Sequence, residues 1–218
     1  MVKPLHIFLI ICSLLNPFSL FAQEGNPYIK DFQTWSSIDV DHSFNKHWKG
    51  FLGEELRLKD NSTQLRTSFT DVGIKWKALK NFSVSGAYRL IIRPQEITNR
   101  LYADLAYQFK ENDLTVTGRI RLQHEFVPDA NDENYIRPDL SFEYKINKHF
   151  QPFAEGELFY HVLYYKGDEL DEYRLSAGTT YKFDGSNDVK VFYLFEQQVN
   201  VNAAQQNYVL GVNYSHDF

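Results

Sequence analysis

The residues of this chain that could do chemistry are charges, and they recur at a spacing of two. Arg119, Arg121 and Glu125 form one set, and Arg137, Asp139 and Glu143 a second; Glu155 and Glu157 follow, then Arg174. On a β-strand that spacing puts every member of a set on one face. Arg57, Arg89, Glu55, Asp104, Glu172 and Glu196 fall in the same phase on other segments. A face carrying both signs on adjacent strands supports two readings. One is a ladder of ion pairs that fills a narrow interior and stiffens its wall. The other is a pore whose charged rings choose the solute. The tight turn at Asn147–His149 makes a hairpin that sets Asp139 opposite Glu157 and Ser141 opposite Glu155. Two facing acids repel, so compensation is expected: Arg121 toward Asp139 and Ser141, Arg119 toward Glu143, and Arg174 toward Glu157.

Catalysis needs a nucleophile and a base held together. His124 and His216 lie in the uncharged phase, where a lipid acyl hydrolase or deacylase would place its base, but no serine stands beside either on a neighbouring strand. The chain therefore reads as a non-enzyme, with lipid hydrolysis as the competing class. Histidines 42, 47, 149 and 161 show no metal-ligand spacing, and Asp129, Asp132 and Glu133 read as a solvated acidic loop rather than a calcium site. No cofactor or metal is expected. The net charge of -5, with no basic patch or phosphate loop, argues against nucleic acid as a partner.

These charges need strands to hold them, and the stretch Leu114–Glu125 shows the rule. Leu114, Val116, Gly118, Ile120, Leu122 and His124 alternate with Thr115, Thr117, Arg119, Arg121, Gln123 and Glu125. A tilted membrane strand needs about 9–11 such residues. Eleven strands can be read, roughly 32–44, 48–59, 64–78, 82–92, 100–110, 114–125, 135–146, 150–164, 171–183, 188–198 and 206–218. Tight turns alternate with longer polar loops, as in outer-membrane barrels with their short turns on the periplasmic side. From the fourth strand onward the apolar phase holds no Lys, Arg, Asp or Glu.

Aromatics gather at both strand ends: Trp48, Trp76, Tyr107, Tyr144, Phe150 and Tyr181 near the turns, and Phe126, Tyr135, Tyr164, Tyr173 and Tyr208 near the loops. They read as two interfacial girdles. The last strand ends in phase on Tyr214 and Phe218, an ending that resembles the assembly signal read by the barrel insertion machinery. A soluble periplasmic lipid-carrying barrel, with the apolar face inside, is the alternative orientation.

The fold expected is all-β: a single antiparallel transmembrane barrel of 10–12 strands with external loops and a polar, charged lumen. Eleven is odd, which would make the closing pair parallel and put the N-terminus on the loop side. Bacterial barrels usually have an even number, so either a short strand lies around Pro27–Phe32, or one long strand is two, or the number is ten; twelve is favoured. The third strand changes phase between Phe69 and Val72, which a bulge near Thr70–Asp71 would reconcile. Trp35 is out of phase with Thr34, Ile38 and Val40.

Lys3, the apolar Ile7–Leu15 and Leu20-Phe21-Ala22 read as a cleaved secretory signal over residues 1–22. A linker over 23–31 and a barrel over 32–218 follow, and cleavage after Ala22 would leave no cysteine.

Trp35, Glu55-Leu56-Arg57, Gly73-Ile74-Lys75-Trp76, Gly86-Ala87-Tyr88-Arg89, Arg119-Ile120-Arg121-Leu122 with His124-Glu125, and Arg174 with Gly178 and Tyr181 occur in that order before an aromatic-ended last strand. In that order they resemble the domain of unknown function 2490 family of bacterial outer-membrane proteins, across the whole mature chain. Asp139 and Glu143 stand where that family leads one to expect more basic residues. The resemblance implies an outer-membrane barrel and no established activity. The partners expected are outer-membrane lipids, the barrel assembly machinery and a small polar solute.

Overall fold

The structure is a computed structural model and describes residues 28–128, 130–183 and 185–218. The signal segment, Pro27 and Asp129 lie outside the described residues. Eleven strands form one closed barrel. They are β1 (Ile29–Ser43), β2 (Trp48–Lys59), β3 (Gln64–Trp76), β4 (Phe82–Ile92), β5 (Ile97–Glu111), β6 (Leu114–Phe126), β7 (Glu133–Tyr144), β8 (Phe150–Val162), β9 (Glu169–Lys182), β10 (Asn187–Gln198) and β11 (Gln205–Asp217). Consecutive strands pair antiparallel, and β1 closes on β11 in parallel, from Ile29 opposite Gln205 to Asp41 opposite Asp217.

The expectation of twelve strands is corrected to eleven. Ile29–Asp31, assigned to the linker, are the first residues of a 15-residue β1 rather than a separate strand. The N-terminal end of β1 therefore lies at the loop end of the barrel, and the closing pair has to be parallel.

Two of the tight turns are built alike. In Asn45-Lys46-His47-Trp48 the Asn45 side chain accepts from the N–H groups of His47 and Trp48 at 2.9 and 3.1 Å. Asn147 does the same for His149 and Phe150 at 2.8 and 2.9 Å. This is the side-chain mimicry of a backbone turn that favours Asn. His47 and His149 then bond the carbonyls of Lys77 and Lys182 on the neighbouring strands, so both histidines serve the turns.

Faces follow from alternation. Leu101, Leu105, Tyr107 and Phe109 of β5 are exposed on the outside, while Tyr102 is buried within. The apolar face is therefore outward and the charged face inward, opposite to a lipid-carrying barrel. From β4 to β11 the outward phase is free of charge over the span that sequence alternation indicated; Glu111, the last residue of β5, is the exception, at the turn end. On β2, however, Glu54 takes an outward position between Leu52 and Leu56, opposite Ile38 and Thr70.

The phase change in β3 has a different cause from the expected bulge at Thr70–Asp71. Register shifts where Arg57 faces Thr67 and Leu58 faces Leu65, which leaves Arg66 as the extra residue. Thr67 and Phe69 are buried with the lumen phase, while Val72 and Ile74 are exposed. A second bulge lies on β9, where Phe159 faces Glu172 and Tyr160 faces Leu170, leaving Asp171 extra. Trp35 is out of phase because it too points inward, into a small apolar cluster with Leu194 and Val209. Beside them Phe192 lies opposite both Gly178 and Gly211. A Cβ on Gly211 would sit 2.0 Å from the Phe192 ring, so the ring occupies the space that glycine leaves.

Candidate functional site

The centre of the lumen is organised around carboxylates that each serve several arginines. Glu157 on β8 is buried and stands opposite Asp139 on one side and Arg174 on the other. Arg137 Nη2 donates to both Glu157 oxygens at 2.9 and 3.0 Å, Arg119 reaches it at 3.2 Å, and Arg174 lies at 4.0 Å. Arg119 also lies 3.6 Å from Asp139. The facing acids Asp139 and Glu157 are thus held by arginines from three strands. Glu196 on β10, 0% exposed, accepts from Arg66, Arg174 and Asn207 at 3.0, 2.9 and 2.6 Å. Charges this dry persist only when hydrogen-bonded on every side.

The same arginines are stacked on aromatic rings. Going round the wall, Arg57 lies 3.6 Å from the Trp35 ring and 4.6 Å from Phe69, and Arg89 lies 4.5 Å from Phe69. Arg121 covers Tyr102 at 3.9 Å; Arg137 and Arg174 cover Phe159 at 4.0 and 4.2 Å, and Arg174 reaches back to Trp35 at 5.3 Å. Each desolvated stack is worth about 2 kcal/mol. The rings fix the guanidinium planes and leave their N–H edges free to meet carboxylates. Arg57 pairs Glu55, Arg89 pairs Asp71, and Arg121 donates to Asp104 at 2.7 and 2.8 Å. The result is a belt of arginines and aromatics from β1 to β9, alternating except where Arg121 stands beside Arg137.

Three cavities lie along the lumen. A chamber of about 560 Å³ opens at the turn end, among Lys46, Lys49, Lys75, Lys77 and Lys80. The central one, about 420 Å³, shares Phe51, Tyr102 and Arg121 with it. A third, about 360 Å³, occupies the loop end. It meets the central chamber at Arg57, Arg89, Arg137 and Arg174, the arginines of the belt.

The residues singled out in the sequence fall into separate places. Arg119, Arg137, Asp139, Glu157 and Arg174 meet in one network, and Asp139 opposite Glu157 and Ser141 opposite Glu155 is the hairpin register observed. Arg121 stands opposite Arg137 rather than near Asp139 or Ser141, and its acid is Asp104 on β5. Arg119 stands opposite Asp139 rather than Glu143. Pairing between β6 and β7 is therefore displaced by two to four residues along β7 from that expected, because the β6–β7 loop, unlike a two-residue turn, does not dictate register. Glu143 faces Thr115 and Phe153 and makes no ion pair among the described residues. Glu155 lies near Lys190 at 3.8 Å. Glu125 belongs to the loop end, where Arg93, Arg100 and Thr98 all donate to it.

Tyr135 is not a girdle residue: it points inward, stacks on His161 at 4.4 Å and donates its hydroxyl to Asp171 at 2.8 Å. Trp48 and Trp76 stack on the outer wall at 5.9 Å. Tyr214 donates to Asn187, and the Phe218 amide donates to the Asp41 carbonyl while its ring is 70% exposed. His124 meets Asn134 and Asp132, and His216 meets Asn187. Sequence reasoning missed Phe69 and Phe159 as ring partners, and missed Lys59, Arg66, Arg93 and Arg100 altogether. Continuing the period of two back from Tyr102 and Asp104 would have found Arg100.

Residues 32–208 match the family model described as "Protein of unknown function (DUF2490)". The chain belongs to this family. No curated protein matches it. Among solved structures, a NanC porin in a rhombohedral crystal form is similar, with a TM-score of 0.52 and 14% sequence identity over 76% of this chain and 86% of that one. At that identity the likeness concerns the fold alone, so this DUF2490 member has a porin-like barrel.

Proposed function

We propose that this DUF2490 barrel is a non-enzymatic outer-membrane protein, exported by its signal segment, that passes or binds a small polar solute through a narrow lumen. The observation that carries the reading is the series of chambers from the turn end to the loop end, joined at shared walls. A lumen of eight strands fills with side chains and one of sixteen is an open channel; eleven strands leave chambers separated by a belt. Charged rings around such a path sort solutes by sign. The outward phase of β4–β11, uncharged up to Glu111 at the turn end of β5, suits lipid, where a basic residue near the midplane costs about 2–4 kcal/mol. Phe218, exposed at the end of β11, is available to the barrel assembly machinery.

Two measurements test this. Fractionated cells washed with carbonate should keep the protein in the outer membrane, and its release into the soluble fraction would end the location. Vesicles containing the purified protein should swell in small polar solutes and not in large ones. Fatty-acid release from phospholipid or lipid A that is abolished by His124→Ala would instead establish the hydrolase.

A further inference from the structure

We propose that the loop-end chamber is a binding site for a small, multiply charged anion bearing carboxylate or phosphate groups. This deepens the solute reading by naming the class of solute, and the site stands whether or not the lumen conducts. Eight Lys and Arg side chains line the chamber and no Asp or Glu does, in a volume of about 360 Å³. The other chambers are mixed: Asp39 and Glu155 line the central one, and Asp41 and Asp104 the turn-end one. A lining of cations without acids is therefore local to the loop end; the turn-end lysines share their chamber with Asp41 and Asp104.

The acids that accompany these cations stand behind them and are shared. Glu125 serves both Arg93 and Arg100, and Glu196 serves both Arg66 and Arg174. Lys59 has no ion-pair partner among the described residues. Arg57 gives its Nε to Glu55, and its two terminal nitrogens make no hydrogen bond among the described residues. The buried Nε of Arg137 also lacks a partner there. Donors remain, then, on several cations that converge on one space.

Stacking decides what those donors suit. Phe69 sits beneath Arg57 and Arg89, and Phe159 beneath Arg137 and Arg174. Guanidinium planes held by their faces present N–H edges in fixed directions, which is the geometry that carboxylate and phosphate oxygens accept in pairs. A halide can accept from two N–H groups of one guanidinium, but with a single atom and a single charge it cannot span the chamber. An anion with two or more carboxylate or phosphate groups can span the chamber, whose volume lies in the range of small-ligand sites.

Calorimetric titration of the detergent-solubilised barrel with citrate and, separately, with pyrophosphate tests the site. One anion should bind per barrel with saturation, and binding should weaken as salt is added. Lys59→Gln and Arg93→Gln should each weaken it about tenfold, the scale of one charge-assisted hydrogen bond. Lys59→Gln breaks no ion pair, and in Arg93→Gln the Arg100 side chain still holds Glu125, so both variants retain the barrel, as heat-modifiable migration would verify. Lys145→Gln, at the turn end, should change nothing. Saturable binding of either probe supports the site, and the tighter probe identifies the preferred group. No saturation with either, or an equal loss in Lys145→Gln, overturns it. Binding without conductance would leave the site standing and end the pore, whereas conductance without binding would do the reverse.

Discussion

Replacing Glu196 by Ala should destabilise the barrel by about 3–5 kcal/mol, the cost of removing one partner from a buried ionic network. Glu196 is 0% exposed and accepts from three side chains on three other strands. After its removal Arg174 keeps Glu172 at 2.8 Å and Glu157 at 4.0 Å, so it is not stranded. Arg66 keeps only Gln33 at 2.8 Å, but its side chain is 26% exposed and recovers some hydration. Asn207, 1% exposed, loses the acceptor of its amide, which alone costs about 1–3 kcal/mol. Glu196→Gln retains one acceptor and should cost about half as much as the alanine change. As a control, Lys49→Ala removes a pair with Asp41 and Asp217 whose side chains are 30–45% exposed, and should cost at most about 1 kcal/mol. Reversible urea unfolding in vesicles of one defined lipid, followed by tryptophan emission and gel migration, gives all three values. Equal costs for Glu196→Ala and Lys49→Ala would refute the reasoning, because they would mean that lumen water solvates the network throughout.

A double-mutant cycle between Arg121→Gln and Asp104→Asn should show a coupling of about 1–3 kcal/mol, while Arg121→Gln with Asp139→Asn should show almost none; the reverse would restore the register expected from sequence. Glu54→Leu removes the one carboxylate on the outward face of β2 and should raise stability in vesicles, by less than the about 2–4 kcal/mol that a basic residue costs at the midplane. A fall in stability would mean that Glu54 has a partner in the membrane. Deleting Phe218, whose ring is 70% exposed, should leave refolding in vitro intact but lower the folded protein in cell membranes. Normal heat-modifiable protein in cells would contradict its role in assembly.

Much of this architecture is legible in the sequence because period-two alternation is a strong signal on strands as long as β5 and β6. Charge-free outward positions from Val84 to Phe218 could be assigned one by one, and the short β7–β8 turn fixed the Asp139–Glu157 pairing. What stays hidden has physical reasons. Aromatics suit both a lipid interface and a stack inside the lumen, on arginine for Trp35 and Phe69 and on His161 for Tyr135, so all three look like wall residues until their neighbours are known. A bulge shifts phase without marking its position, and Arg66 has no residue type that betrays it. Register across a longer loop is free by several residues, here two to four, which put Arg137 rather than Asp139 opposite Arg121 and left Asp104 on β5 as its acid. The loop-end cations are scattered over the β2–β3 and β4–β5 regions, and the pairing of these four consecutive strands brings Lys59, Arg66, Arg93 and Arg100 to one chamber.

The central claim, a polar path narrowed by a belt of stacked arginines, is tested most directly by planar-bilayer recording of the purified barrel. Small, discrete conductance steps should appear and should grow when Arg57→Ser opens the wall shared by the central and loop-end chambers. A silent bilayer with both the native protein and Arg57→Ser, from protein shown to be folded and inserted, would contradict it and leave a filled structural barrel.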